Sequence, residues 1–197
     1  MNVSRETSER LAQFEDLVRR WSTRINLVSR RDLDHIWPRH IADSIQIFDH
    51  APQADTWLDL GSGGGFPGLV CAILSADNND PTKFTLIESD ARKCAFLREA
   101  TRLLDLRADI LTARIETVPP QQFDVVTARA LAPLPQLLAL SHPFCSPQTV
   151  CLFPKGAQAE SELTAAQANW HILVERVPSR TDPGATILKL TDIAPRP

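Results

Sequence analysis

Five of the chain's seven glycines, Gly61, Gly63, Gly64, Gly65 and Gly68, stand within eight residues. Glycine is costly to order, so such crowding marks a place where the backbone needs left-handed angles or must let something come close. The run Trp57-Leu58-Asp59-Leu60-Gly61-Ser62-Gly63-Gly64-Gly65-Phe66-Pro67-Gly68 reads as a buried strand, a loop and a helix start. In an open α/β sheet that turn is where a ligand sits. A dinucleotide fingerprint, Gly-x-Gly-x-x-Gly, can be drawn through Gly63, Gly65 and Gly68, with a pyrophosphate on the helix N-terminus. The S-adenosylmethionine loop, Asp/Glu-x-Gly-x-Gly-x-Gly, is met in register by Asp59, Gly61, Gly63 and Gly65, with Gly61 directly after the strand. Pro67 fits the first helical turn and removes an N–H there, a loss to a phosphate and none to a phosphate-free sulfonium cofactor. A tight turn holding nothing is the third reading.

The next strand ends in Glu88, 27 residues after Gly61. A carboxylate at that tip can accept from two ribose hydroxyls, which either nucleoside cofactor would use. A third tip carries Ile115-Glu116, an apolar side chain to flank an adenine and an acid to accept from its amino group. After the fourth strand, where the acceptor chemistry is arranged, stands Arg129 in Thr127-Ala128-Arg129-Ala130-Leu131-Ala132-Pro133. No Asp/Asn/Ser-Pro-Pro-aromatic loop for exocyclic amines is present, the chain has no Tyr, and the only nucleophile for pyrimidine C5 chemistry is Cys145. An acceptor that already carries a lone pair, such as guanine N7, needs no general base, and catalysis is then largely positioning. Arg129 is the candidate for that role. It could also neutralise a phosphate, or simply pair with Asp124 or Glu116.

These residues need strand tips to carry them. The expected strands are 56–60, 83–87, 108–111, 123–127, 149–153, 171–177 and 185–190, with helices at 68–75, 90–104, 133–142 and 157–168 between them. Apolar strands alternating with helices imply a parallel seven-stranded sheet covered on both faces, and the last two strands an antiparallel edge hairpin. Asn78-Asn79-Asp80-Pro81 reads as a surface turn. Upstream, Leu11, Phe14, Leu17, Val18 and Trp21 keep helical spacing from Thr7 to Trp21, with Ser8 as cap. A second helical stretch, 32–48, is broken at Pro38. Residues 1–50 are thus an N-terminal helical extension, and 51–197 the cofactor-binding domain.

The 197 residues carry a net charge of −3, against a general nucleic-acid binder. Arg19, Arg20, Arg24, Arg30, Arg31 and Arg39 are nevertheless concentrated between residues 19 and 40, as a solvated face or a phosphate site. The four cysteines, Cys71, Cys94, Cys145 and Cys151, form no Cys-x-x-Cys pair, so no metal is expected, and they suit a reducing compartment. No signal-like N-terminus or 18-residue apolar stretch is visible. A cytoplasmic monomer is the expectation.

Asn26-Leu27, Arg39-His40-Ile41-Ala42-Asp43-Ser44-Ile45, the glycine run, Arg92-Lys93-Cys94-Ala95-Phe96-Leu97-Arg98, the Thr127–Leu134 run and Lys155-Gly156 resemble, in that order, the bacterial small-subunit ribosomal RNA guanine-N7 methyltransferases, the glucose-inhibited division protein B family. The resemblance implies a Rossmann-like class I fold and S-adenosylmethionine as cofactor. The implied product is a methyl on N7 of one guanine of 16S ribosomal RNA, guanine 527, with that RNA or the small subunit as partner. It casts Gly61, Phe66, Ile115, Glu116 and Arg129 as cofactor contacts, and Arg39, His40, Arg92, Lys93 and Lys155 as RNA-facing. The rival readings are a nicotinamide-dependent oxidoreductase, for which the chain lacks a Tyr-x-x-x-Lys pair, and a non-catalytic RNA-binding or assembly module.

Overall fold

The computed structural model describes residues 3–77 and 82–196; the surface turn expected at 78–81 lies outside them. Among the described residues, seven strands form one sheet: β1 (Thr56–Leu60), β2 (Lys83–Glu88), β3 (Ala108–Thr112), β4 (Phe123–Ala128), β5 (Cys145–Lys155), β6 (Trp170–Pro178) and β7 (Thr186–Pro195). Their order is β3-β2-β1-β4-β5-β7-β6, parallel through β5, with β7 antiparallel to both of its neighbours. The mostly parallel sheet with an antiparallel edge pair is as expected. β5 starts four residues earlier than expected because its register shifts between Phe123 and Val125 of β4 and absorbs Ser146–Thr149.

Alternation along β1 divides the core in two. Trp57 faces a cluster built with α1 (Arg5–Ser22), α2 (Ala42–His50), α3 (Gly68–Asp77) and α4 (Ala91–Leu103), whereas Leu58 and Leu60 face one built with α5 (Leu134–Ser141) and α6 (Ala159–Gln167). Phe48, Trp57 and Phe84 stack in line through the first cluster, at centroid separations of 6.1 and 5.2 Å. The N-terminal helices therefore share one core with the sheet: Phe14 of α1 lies 5.3 Å from Phe66 of the glycine loop, centroid to centroid.

Two local expectations are corrected. The cap of α1 is Ser4, whose Oγ accepts from Thr7 N at 3.0 Å; Ser8 already lies inside the first turn. Pro38 does not break the second stretch, because it enters a π-helical turn at Trp37–Ile41 near its start, where the missing N–H has no intrahelical partner to lose.

Candidate functional site

The strand order reverses at β1 and β4, so the loops leaving their carboxyl ends lie side by side. Such a switch point is where an open α/β sheet leaves a crevice. Here it is a cavity of about 780 Å³, walled by the glycine loop, the 129–133 loop, the chain ahead of α2, the end of β5 and the turn between β6 and β7.

The glycine loop uses its freedom for angle and approach. Gly61 and Gly63 have φ of +65° and +53°, and a Cβ on Gly61 would come within 2.7 Å of Leu131, the residue through which the two loops touch. Gly63 N–H donates to Glu88 Oε2 at 2.9 Å, and a Cβ there would meet nothing nearer than Gly61 O at 3.8 Å. The loop thus presents bare backbone to the cavity, as close approach by a cofactor requires.

Asp59 is not on that wall. It shares a strand face with Trp57, is 1% exposed, accepts from Thr127 Oγ1 at 2.7 Å, and lies against Gly68 with no hydrogen bond to Oδ2. Its place is behind the loop, supporting it. Burial drives its pKa up to about 6, against the lowering pull of Thr127 and Ser62. The unfolded chain ionises this carboxyl near 3.8. The native state therefore loses stability as pH rises from about 4 to about 6, by a total on the order of 3 kcal/mol. Asp59→Asn is expected to gain stability relative to the parent across that interval and to keep the gain at neutral pH. Urea unfolding at a series of pH values reads the difference, and a pH-independent difference would refute the assignment.

Arg129 does not pair with Asp124 or Glu116. Asp124 is occupied at the start of β1, accepting from Thr56 N at 2.9 Å. Arg129 Nη1 instead lies 3.4 Å from both Asp43 Oδ2 and the Arg39 carbonyl, and its guanidinium is 5.3 Å from the Phe66 ring centroid. Burial lowers its pKa and Asp43 opposes that shift. His40 rests on the same Phe66 ring, centroids 5.0 Å apart. Burial, then the Arg129 charge, push the imidazole down to about 4, so it is neutral at physiological pH, with both ring nitrogens buried and without a hydrogen-bond partner. A neutral ring so placed does not neutralise phosphates.

Of the remaining candidates, Gly61, Ser62, Gly63, Phe66, Arg39, Lys93 and Lys155 line the cavity, whereas Gly65, Glu88, Ile115, Glu116 and Arg92 do not. Glu88 is buried and accepts from Gly63 N and Asp90 N, at 2.9 and 2.8 Å, which leaves each oxygen a second lone pair. Ile115 and Glu116 form a short turn after β3. Arg92 is exposed and 3.3 Å from Asp90, while Arg39 pairs with Asp32 at 3.0 Å. Cys145 donates to Ser141 O at the start of β5, and is not on the wall.

Sequence reasoning passed over Asp43, Gln46, Ser179 and Thr181. Asp43 Oδ1 accepts from Gln46 Nε2 at 2.8 Å and from Thr181 Oγ1 at 3.0 Å, and Gln46 Oε1 accepts from Arg180 N at 2.9 Å. Asp43 thereby joins Arg129 to the β6–β7 turn. Among the described residues no cluster of His, Cys, Asp or Glu could hold a metal, and no helix is long and apolar enough to cross a membrane.

Bare glycine backbone at a switch point, beside a carboxylate-bearing strand tip, on a sheet of this order defines a Rossmann-like S-adenosylmethionine-dependent methyltransferase. Solved structures share the fold: a TehB-like SAM-dependent methyltransferase from Corynebacterium glutamicum aligns with TM-score 0.61 at 16% identity, over 92% of this chain and 99% of that one. TYW2 of M. jannaschii in complex with AdoMet aligns at 0.60 and 14%, over 89% and 80%. The model of the family described as rRNA small subunit methyltransferase G matches residues 7–185, and the chain belongs to that family. Ribosomal RNA small subunit methyltransferase G of Cereibacter sphaeroides is 52% identical over 98% of this chain and 95% of its own length, and that of Gluconobacter oxydans 51% over 96% of each.

Proposed function

We propose that this enzyme places a methyl group on N7 of a single guanine of 16S ribosomal RNA, guanine 527, acting as a cytoplasmic monomer on the RNA or the small subunit. The observation that carries the reading is the engagement of the two partly buried carboxylates on the cavity wall, Asp43 and Glu162. His40 is held neutral with a pKa of about 4, Asp43 accepts from Gln46, Thr181 and Arg129, and Glu162 pairs with Lys155 at 2.9 Å. Asp182 accepts from Gly184 N at the exposed turn. An acceptor that had to lose a proton before attack would find those carboxylates occupied and, in His40, only a weak base. Guanine N7 has its lone pair in the ring plane at neutral pH and needs none.

When bound, S-adenosylmethionine supplies an electrophilic methyl on a sulfonium sulfur. Gly61, Ser62, Gly63, Phe66 and Arg129 hold it on the cavity side, with Glu88, Ile115 and Glu116 at the adjoining strand tips for the adenosine and Asp59 and Gly65 beneath the loop. The 1–50 extension faces the RNA. Arg20, Arg24, Arg30 and Arg31 are exposed there, and Arg39, Lys93 and the exposed Arg92 carry positive charge toward the same ligand. Incubation of small subunits or unmodified 16S RNA with methyl-labelled S-adenosylmethionine, followed by nuclease mapping, is expected to find one labelled guanine, alkylated at N7. Label on another base, or none, would overturn the proposal.

A further inference from the structure

The 129–133 loop is pinned more heavily than a connecting loop requires. Arg129 is tied to Asp43 and to the Arg39 carbonyl. Ala130 has a φ of +52°, left-handed for a residue with a side chain, which persists only where surroundings enforce it. Leu131 packs on Gly61. The far end is held by two side chains from later in the chain. Lys155 Nζ, at the end of β5, donates to Ala132 O at 2.7 Å and lies 2.9 Å from Glu162 Oε2; that same oxygen accepts from Leu134 N at 2.7 Å. Pro133 offers α5 no side-chain cap, so Glu162 of α6 supplies the carboxylate at the N-terminus of α5.

We propose that Lys155 and Glu162 are positioning residues for methyl transfer: as a pair they fix the Ala132 carbonyl and the Leu134 N–H, and so set the loop that faces the acceptor base. The inference rests on the function proposed above, and it removes Lys155 from the RNA-facing set. The Lys155 side chain is 10% exposed and already committed to a carbonyl and a carboxylate. A phosphate contact would have to break that pair. An RNA role predicts nothing for Glu162, an acid with no attraction for phosphate, whereas a positioning role predicts that the two residues fail alike.

The full-length chain, 16S RNA and labelled S-adenosylmethionine suffice for the test, with Lys155→Met, Glu162→Gln, the double variant and Lys155→Arg. The single variants are each expected to lower kcat by roughly 10- to 100-fold, since small misplacements at a reacting centre cost that much. KM for cofactor and RNA should stay within about 3-fold, and the double variant should be no worse than the poorer single, as for residues acting as a unit. Lys155→Arg should restore part of kcat. The salt dependence of RNA affinity should be unchanged, and the Leu134 amide should exchange faster in both single variants. Should Lys155→Met not fold, Glu162→Gln decides, because the neutral amide is of the same size but loses the ion pair with Lys155 and the charge-assisted hold on Leu134 N. The inference is overturned if Glu162→Gln keeps full kcat, or if Lys155→Met lowers only RNA affinity and reduces the salt slope by about one. Failure of the parent chain to label 16S RNA would strike the function itself, and Leu134 exchange would still read the clamp.

Discussion

Gly63→Asp should abolish methyl transfer while leaving a folded protein. The new Cβ meets nothing nearer than 3.8 Å, and aspartate tolerates the left-handed backbone better than most residues, so the conformational cost is about 1 kcal/mol and the melting temperature should fall by only about 2–4 °C. The cost falls on the ligand. A carboxylate would stand on the bare face of the loop, close to Glu88, which takes the Gly63 N–H. Cofactor affinity should drop by at least about 100-fold, because a charge desolvated without a partner costs that and more. Calorimetric titration with S-adenosylhomocysteine reads this directly. Gly65→Asp is the contrasting case: its Cβ would lie 2.9 Å from Leu69 and 3.1 Å from Phe14, so that variant should lose the fold. Undiminished cofactor affinity in Gly63→Asp would remove the loop from the site.

The second large effect is expected at Arg129. Arg129→Ala takes away a charge beside the glycine loop, its contact with Phe66 and the partner of Asp43. Methyl transfer should fall by roughly 100- to 1000-fold, in the range seen when a preorganised donor is lost. RNA affinity should change by less than about 3-fold, since this partly buried cation is already paired with Asp43 and packed on Phe66. Arg129→Lys keeps the charge but not the planar group over Phe66, so it should recover only part of the rate. Equal losses of RNA binding and of transfer would refute the cofactor-side placement.

Much of this was legible in the residues. The β1 strand, glycine loop and α3 helix follow from local composition, and the strand order of a doubly wound sheet puts Arg129 opposite Gly61 once β4 is placed beside β1. Asp59 could have been read more closely. Strand alternation puts it on the Trp57 face, inside the first core, whereas the motif alone suggests a ligand contact. Asp43, by contrast, was present in the quoted motif and unreadable. Its role depends on Arg129, 86 positions later, and on Thr181, 138 positions later. Side-chain pairs across such separations leave no period or spacing behind. Lys155 and His40 share that difficulty: a basic residue near a glycine gives no sign of whether its head faces solvent, a carbonyl or an aromatic ring.

The placement of β7 between β5 and β6 bears on how the chain is made. Synthesis proceeds from the N-terminus, so β5 and β6 emerge before the strand that joins them. Until residues 186–195 are available, β5 presents an open hydrogen-bonding edge from Cys151 to Lys155, and β6 has no neighbour in the sheet. Such edges template pairing with other chains. The Gln46 contact with Ser179, across 133 residues, likewise waits for the second half of the chain. Folding intermediates should therefore be most vulnerable late in translation, and premature termination before Thr186 should yield aggregating fragments instead of a smaller stable domain.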